Sequence, residues 1–302
     1  MSIVKVNNLS KSYGKTEALK DISFEVKPGE LFGFIGPDGA GKTTLLRILT
    51  SLIIPDKGTA EVLGYDVVKD YRKIRSSVGY MPGRFSLYQD LSVEENLKFF
   101  ATIFGTTLEE NYNLIKNIYI YLEPFKKRKA GKLSGGMKQK LALCCALIHK
   151  PDLLILDEPT TGVDPVSRDE FWEMLGGLKA EGITTVVSTP YMDEAKLCDR
   201  VALIQKGNIL DIDKPSELIK RNYRKMYAIK SDNMYGLIKS LNEFENIDSV
   251  NIFGEYIHFT FNEGDENMDA LKKYLSEKGI TEIEYKEIKP DIEDIFIELM
   301  RK

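Results

Sequence analysis

Gly36-Pro37-Asp38-Gly39-Ala40-Gly41-Lys42-Thr43 fits the pattern G-x-x-x-x-G-K-[ST], and the signals on either side of it constrain the fold. The apolar run Leu31 to Ile35 reads as a buried strand leading into it, and Leu45, Leu46, Ile48 and Leu49 mark a helix leaving it. Strand, loop and helix in this order form the context that a phosphate-binding loop requires. Gly36, Gly39 and Gly41, with Pro37, Asp38 and Ala40 among them, let backbone N–H groups turn inward around phosphate oxygens at the positive end of the helix. Lys42 would reach the β and γ phosphates, Thr43 would supply an oxygen ligand for Mg²⁺, and Thr44 adds a phosphate-facing hydroxyl.

The rest of the chain reads as surroundings for that loop. Ile3, Val4 and Val6, then Ile22, Phe24 and Val26, predict short antiparallel strands, and Pro28-Gly29 turns the chain into Leu31 to Ile35. Ser92 to Lys150 is mostly helical in pattern, which places a helical insertion at about residues 84–150. Strand character returns at Leu153 to Leu156, Thr184 to Val187 and Val201 to Ile204, separated by helical stretches, as in a parallel α/β sheet. Beyond Pro215 a basic connector through Lys220-Arg221 and Arg224-Lys225 leads to a smaller domain. Its order is strand (Met226 to Lys230), helix (Met234 to Leu241), strand (Ser249 to Phe253), strand (Tyr256 to Phe261), helix (Met268 to Leu275) and strand (Ile280 to Tyr285). That βαββαβ order predicts a ferredoxin-like α+β unit. A last helix from Asp291 sets Ile292, Ile295, Phe296 and Leu299 on one face. The expected domains are residues 1–215 and 223–302.

Composition excludes several functions. The 42 Lys and Arg against 46 acidic residues leave a net charge of -4, which gives no general attraction to nucleic acid, so no nucleic-acid partner is expected. No stretch approaches the roughly 18–20 consecutive apolar residues that span a bilayer, so another chain would have to supply any membrane path. Met1 to Leu9 lacks a basic and then apolar pattern, and the three cysteines, Cys144, Cys145 and Cys198, suit a reducing cytoplasm. His149 and His258 stand far apart and the cysteines are not at ligand spacing, which argues against a zinc-type site.

Two further motifs follow the loop. Leu133-Ser134-Gly135-Gly136-Met137-Lys138-Gln139 opens a helix, so the Ser134 hydroxyl and the Gly135 and Gly136 amides form an anion site with nothing of its own nearby to bind. Ser134 is also a favoured N-cap, which by itself explains neither the paired glycines nor Gln139. Leu153 to Leu156 ends in Asp157-Glu158, followed by Pro159-Thr160-Thr161-Gly162. The three motifs in this order resemble the nucleotide-binding subunit of an ATP-binding cassette (ABC) transporter, over residues 1 to about 215. The resemblance implies a P-loop NTPase cassette of α/β class, with a mainly parallel sheet core, an antiparallel β subdomain and the helical insertion. It implies that Asp157 holds Mg²⁺ through water, that Glu158 polarises the attacking water as general base, and that Tyr13 stacks on adenine. Ser134, Gly135 and Gly136 would meet the γ-phosphate held by a second subunit, identical or different, with Asp164 in the contacting D-loop. Glu158, Lys42, Ser134 and Gly136 are then the expected catalytic group. Gly162-Val163-Asp164-Pro165, Tyr191-Met192-Asp193-Glu194-Ala195 and the ending Asp291-Ile292-Glu293-Asp294-Ile295-Phe296 resemble ATPase subunits of ABC-2-type, multidrug-efflux-like exporters. Such subunits bind transmembrane permease chains at the inner face of the plasma membrane. A slow ATP-gated regulatory module and a non-transport ABC protein of DNA repair or translation are the alternatives.

Two positions depart from the family pattern. Gly83 stands where the Q-loop glutamine is usual, and Pro190 where the switch histidine is usual. Proline has neither a side-chain donor nor an N–H, so hydrolysis is expected to be slower while the phosphate cradle is intact. Tyr191, Thr189 and Gln89 are candidates to fill the gap. Lys126-Lys127-Arg128-Lys129 reads as a solvated loop, with contact to a membrane leaflet as the alternative. Arg84-Phe85-Ser86-Leu87-Tyr88 reads equally as part of a core or as the seat of a coupling helix from a membrane partner.

Overall fold

The loop at Gly36 emerges at the centre of a six-stranded sheet in a computed structural model that describes residues 2–301. The chain divides into two compact units, Met1–Ser216 and Glu217–Lys302, whose outermost residues, 1 and 302, lie outside the described residues. The first unit runs β1 (Val4–Tyr13), β2 (Thr16–Val26), β3 (Leu31–Ile35), α1 (Lys42–Leu49), β4 (Lys57–Val62), β5 (Tyr65–Asp66), α2 (Tyr71–Ser77), β6 (Val78–Met81), α3 (Val93–Ile103), α4 (Tyr112–Tyr119), α5 (Gly135–Leu147), β7 (Leu153–Asp157), α6 (Pro165–Ala180), β8 (Thr184–Thr189), β9 (Arg200–Gln205) and β10 (Asn208–Asp213). The unit boundary falls within α7 (Pro215–Arg221).

The central sheet has the order β10-β9-β3-β8-β7-β6, parallel throughout except for the antiparallel β10 edge. Its inner strands β3, β7 and β8 are buried along their whole length, as strands covered on both faces must be. A second sheet, β2-β1-β4-β5, is antiparallel, and β1 and β2 are longer than expected. Register shifts between Val6 and Ser12 let β1 and β2 bend while keeping Val4, Leu9, Ile22 and Val26 buried. Phe24, Phe32 and Phe34 tie the two sheets into one core, with ring centroids 5.0 to 6.0 Å apart. Strands β4, β5 and β6 have no counterpart in the sequence pattern. Helices α3, α4 and α5 lie within the expected insertion; α3 starts on a Ser92/Glu95 capping box and α5 on a Ser134 N-cap.

The second unit runs β11 (Met226–Ser231), α8 (Met234–Glu243), β12 (Ile247–Phe253), β13 (Tyr256–Phe261), α9 (Met268–Glu277), β14 (Ile283–Ile288) and α10 (Ile292–Arg301). Its sheet order β12-β13-β11-β14 is the antiparallel arrangement that a ferredoxin-like βαββαβ unit produces. Leu237, Leu241, Leu271 and Leu275 of α8 and α9 pack with Ile229, Ile257 and Phe259 of the sheet. β14 begins three residues later than the expected Ile280. Gly279, at φ +79°, ends α9, and the Ile280 N–H bonds back to the Leu275 carbonyl at 2.9 Å, so Ile280 closes the helix as a buried cap residue. Among the described residues, no helix is long and apolar enough to cross a membrane.

Candidate active site

β3 delivers the chain into the loop, and neighbouring backbone dictates where glycine must stand. A Cβ at Gly36 would overlap the Ile204 carbonyl of β9, and one at Gly41 would overlap the Ala18 carbonyl. Gly41 also sits at φ +108° as the cap of α1, a conformation that L side chains rarely adopt. The loop is thus clamped by β2 and β9 in a shape that leaves the first amides of α1 to be satisfied by a ligand.

Five charged or hydroxyl side chains converge beyond it. Lys42 is 3% exposed; its Nζ donates to the carbonyls of Gly36 at 2.7 Å and Pro37 at 3.1 Å, and stands 3.0 Å from Glu158 Oε1. Thr43 Oγ1 donates to Asp157 Oδ1 at 3.1 Å, and Ser188 Oγ donates to the same oxygen at 2.8 Å. The Glu158 N–H donates to Ser188 Oγ at 3.0 Å and lies 3.1 Å from the Ser188 carbonyl. Glu158 itself occupies the left-handed region at φ +49°, so the backbone turns sharply where β7 ends and aims its carboxylate at Lys42. Thr43 and Asp157 make an all-oxygen donor pair, the chemistry that a hard divalent cation takes, and they meet at hydrogen-bond distance.

A cavity of about 630 Å³ unites much of the expected set. Tyr13, Gly39, Ala40, Gly41, Lys42, Thr43, Thr44 and Glu158 line it, together with the basic side chains of Lys15, Lys20 and Lys206, which had drawn no notice in the sequence. Tyr13 is half exposed, with the Lys11 ammonium 5.8 Å from its ring centroid. Gly36 and Pro37 are not in its lining but hold Lys42 through their carbonyls, and Pro37 and Asp38 are exposed on the loop. Ser134, Gly135 and Gly136 do not line it. They open α5 elsewhere in the unit, where Ser134 Oγ accepts from the Met137 N–H at 3.3 Å and Ser134 and Gly135 face solvent. Gly136 has a reason within its own chain: a Cβ there would stand 2.5 Å from Ser167 Oγ of α6.

Of the two departing positions, Gly83 stands beside Asp157. A Cβ built on Gly83 would lie 3.0 Å from the Asp157 carbonyl oxygen and 3.7 Å from Asp157 Oδ2, so a side chain at 83 would reach the Thr43–Asp157 pair. Pro190 directly follows β8, one residue beyond Thr189. Of the proposed substitutes, the Thr189 hydroxyl is engaged with Glu194, the Tyr191 ring lies under the Arg168 guanidinium at 4.8 Å, and Gln89 is held by its carbonyl to the Gly131 N–H. Ser188 and Arg168 had no role in the sequence pattern, and Thr160 and Glu194 stood there only as members of motifs. The signal for Ser188 is register, since it is the parallel-strand partner of Asp157.

Segments with two readings divide. In 84–88, Leu87 is buried, Phe85 is partly covered with the Lys138 ammonium 5.6 Å from its ring, and Tyr88 is half exposed against Phe99. Beside it lies an apolar cavity of about 180 Å³, lined by Met81, Pro82, Leu87, Phe100 and Phe104 among others. His149 stacks on Phe104 at 3.8 Å, and burial pushes its pKa down to about 4, which keeps it a neutral packing group at pH 7. His258 bonds Asp294 at 2.8 Å and stacks on Phe253, and Cys144, Cys145 and Cys198 are buried. Lys126 to Lys129 are exposed.

Comparison with known proteins adds an independent line. A family model described as "ABC transporter" matches residues 19–161. YbhF of Escherichia coli, an ABC transporter ATP-binding protein, is 35% identical over 305 aligned residues, which cover 99% of this chain and 52% of YbhF. The chain thus spans about half the length of that relative. The Nod factor export ATP-binding protein I of Rhizobium sp. strain N33 is 34% identical over 300 residues, covering 98% of this chain and 96% of its own. Among solved structures, the dimeric post-hydrolysis state of the ATP-binding cassette MJ0796, bound to ADP and Pi, superposes with a TM-score of 0.63 at 28% identity, over 70% of this chain and 98% of that one.

Proposed function

This chain belongs to the family of ABC transporter ATP-binding proteins, and from that premise we propose that it is the ATP-hydrolysing subunit of an exporter whose membrane path is built by separate permease chains. The observation that carries the proposal is the meeting of Lys42, Thr43, Asp157 and Glu158 at the mouth of the glycine loop. The loop amides and Lys42 would hold the β and γ phosphates of ATP, and Tyr13 would stack on the base. Thr43 and Asp157 would hold Mg²⁺, which when bound neutralises charge on the phosphate oxygens. An arriving γ-phosphate competes with Glu158 for the Lys42 ammonium. Released from that ion pair, the Glu158 carboxylate is free to accept the proton of the attacking water.

The exposed Ser134 and Gly135, remote from the chain's own loop, suit a head-to-tail pairing in which α5 of one subunit completes the phosphate site of another. The apolar cavity beside residues 84–88 suits a permease helix, so that closing of the pair is passed to the membrane chains at the inner face of the membrane. The two domains expected from the sequence, 1–215 and 223–302, would serve as engine and accessory domain. A second reading, a slow ATP-gated module, is favoured by Gly83 and Pro190, which remove two side chains from the γ-phosphate end.

ATPase assays on the purified protein beside Glu158→Gln test the first proposal. Turnover should fall by about 10²–10³ in the variant with nucleotide binding retained. Equal turnover in the two proteins would remove Glu158 as the base.

A further inference from the structure

Among the groups behind the site is a buried carboxylate that no step above uses. Glu194 is 1% exposed. Its Oε1 accepts from Thr160 Oγ1 at 2.9 Å and lies 3.5 Å from Arg168 Nε, and its Oε2 accepts from Thr189 Oγ1. Each partner belongs to a different segment leaving the site. Thr160 is two residues beyond Glu158. Thr189 ends β8 next to Pro190 and accepts from the Tyr191 N–H at 3.0 Å. Arg168 is in the first turn of α6, one turn after its N-cap Asp164. The same guanidinium pairs with Asp193 at 2.5 Å and covers the Tyr191 ring.

A charge buried this deeply is unfavourable unless it is compensated, and an apolar side chain would fill the volume with less penalty. What a carboxylate adds is the capacity to accept from several directions at once, so that three segments share one fixed point. The segments are those whose relative placement matters most: the corner that aims Glu158, the loop that has lost its switch side chain, and the helix that starts from the D-loop.

We propose that Glu194, held by Arg168, is a positioning residue for hydrolysis, which fixes the Glu158 corner and the Pro190 loop against α6. The proposal rests on the ATPase reading and concerns how that site is kept in register. Glu194 touches no reacting atom; it acts through Thr160 and Thr189.

The test uses the full chain and measures kcat, KM, affinity for a fluorescent ATP analogue and Tm for wild type, Glu194→Gln, Arg168→Met and the double variant. Glu194→Gln keeps shape but turns one acceptor into a donor facing a hydroxyl that already donates. The expected result is a kcat about tenfold lower or more per folded molecule, with KM and analogue affinity within about twofold, and a double variant no worse than the poorer single one. Arg168→Lys, which keeps the charge, should recover part of the rate. Wild-type kcat in Glu194→Gln, or a loss that merely tracks loss of folded protein, overturns the proposal. Should Glu194→Gln fail to fold, Arg168→Met and Arg168→Lys carry the same comparison, and equal kcat in those two overturns it. Wild type and Glu158→Gln in the same assay separate the two levels: if wild type shows no turnover the ATPase reading has failed, and if Glu158→Gln alone loses turnover only the Glu194 inference has.

Discussion

The two ends of the site are built by different means. At the phosphate end, eight consecutive residues make the cradle, and its shape is enforced by backbone: Gly36 against β9, Gly41 against the Ala18 carbonyl, Lys42 chelated by the loop's own carbonyls. At the switch end, single residues far apart in the chain meet through strand register, with Ser188 bridging Asp157 and Glu158 and Glu194 gathering Thr160, Thr189 and Arg168. The first kind of site is fixed by close backbone at Gly36 and Gly41 and by a positive φ at Gly39 and Gly41. The second can lose a side chain, as at Gly83 and Pro190, because its geometry is distributed over several partners.

That contrast can be broken in three places. Lys42→Ala attacks the phosphate end and should have the largest effect, weakening affinity for ATP by about 10- to 100-fold in equilibrium titration, the loss expected for charge-assisted hydrogen bonds to phosphate. Retained affinity would mean that the loop amides suffice alone. Ser188→Ala comes next: it removes the donor to Asp157 and the acceptor for the Glu158 N–H, so kcat should drop by about tenfold while analogue affinity stays within a few fold. A pure affinity loss would place Ser188 on the binding side of the divide. Pro190→His should change kcat least, by less than about threefold, because the loop is already held by Thr189, Tyr191 and Glu194. A hundredfold gain in steady-state ATPase would instead show that one missing donor limits the switch end.

Legibility in the sequence follows the same divide. Strand, loop and α1 were readable because their residues are adjacent, and the helical insertion and the βαββαβ order because periodicity is a local property. β4, β5 and β6 were not. Val78–Met81 is four residues long and Tyr65–Asp66 only two, too short to show a period, and they exist as strands because neighbours pair with them. β14 was displaced by the cap at Gly279, where an apolar residue serves the helix rather than the strand. In the site, the carboxylate pair could be read at the end of its apolar run, but Ser188 required the register of β8 on β7, and Glu194, though part of a motif that resembles the family, sits in a 3₁₀ segment, Met192–Leu197, whose pattern gives it no role. The paired glycines of the 133–139 motif pointed outward to a ligand, whereas Gly136 answers first to Ser167 of its own chain.

The left-handed backbone at Glu158 limits which changes the site can undergo by single substitution. A non-glycine residue held at φ +49° carries strain on the order of 1 kcal/mol, so the position would be more comfortable as glycine or asparagine. Heat resistance and turnover therefore pull in opposite directions at this one corner. A lineage selected only for a sturdier fold would be drawn to discard the carboxylate.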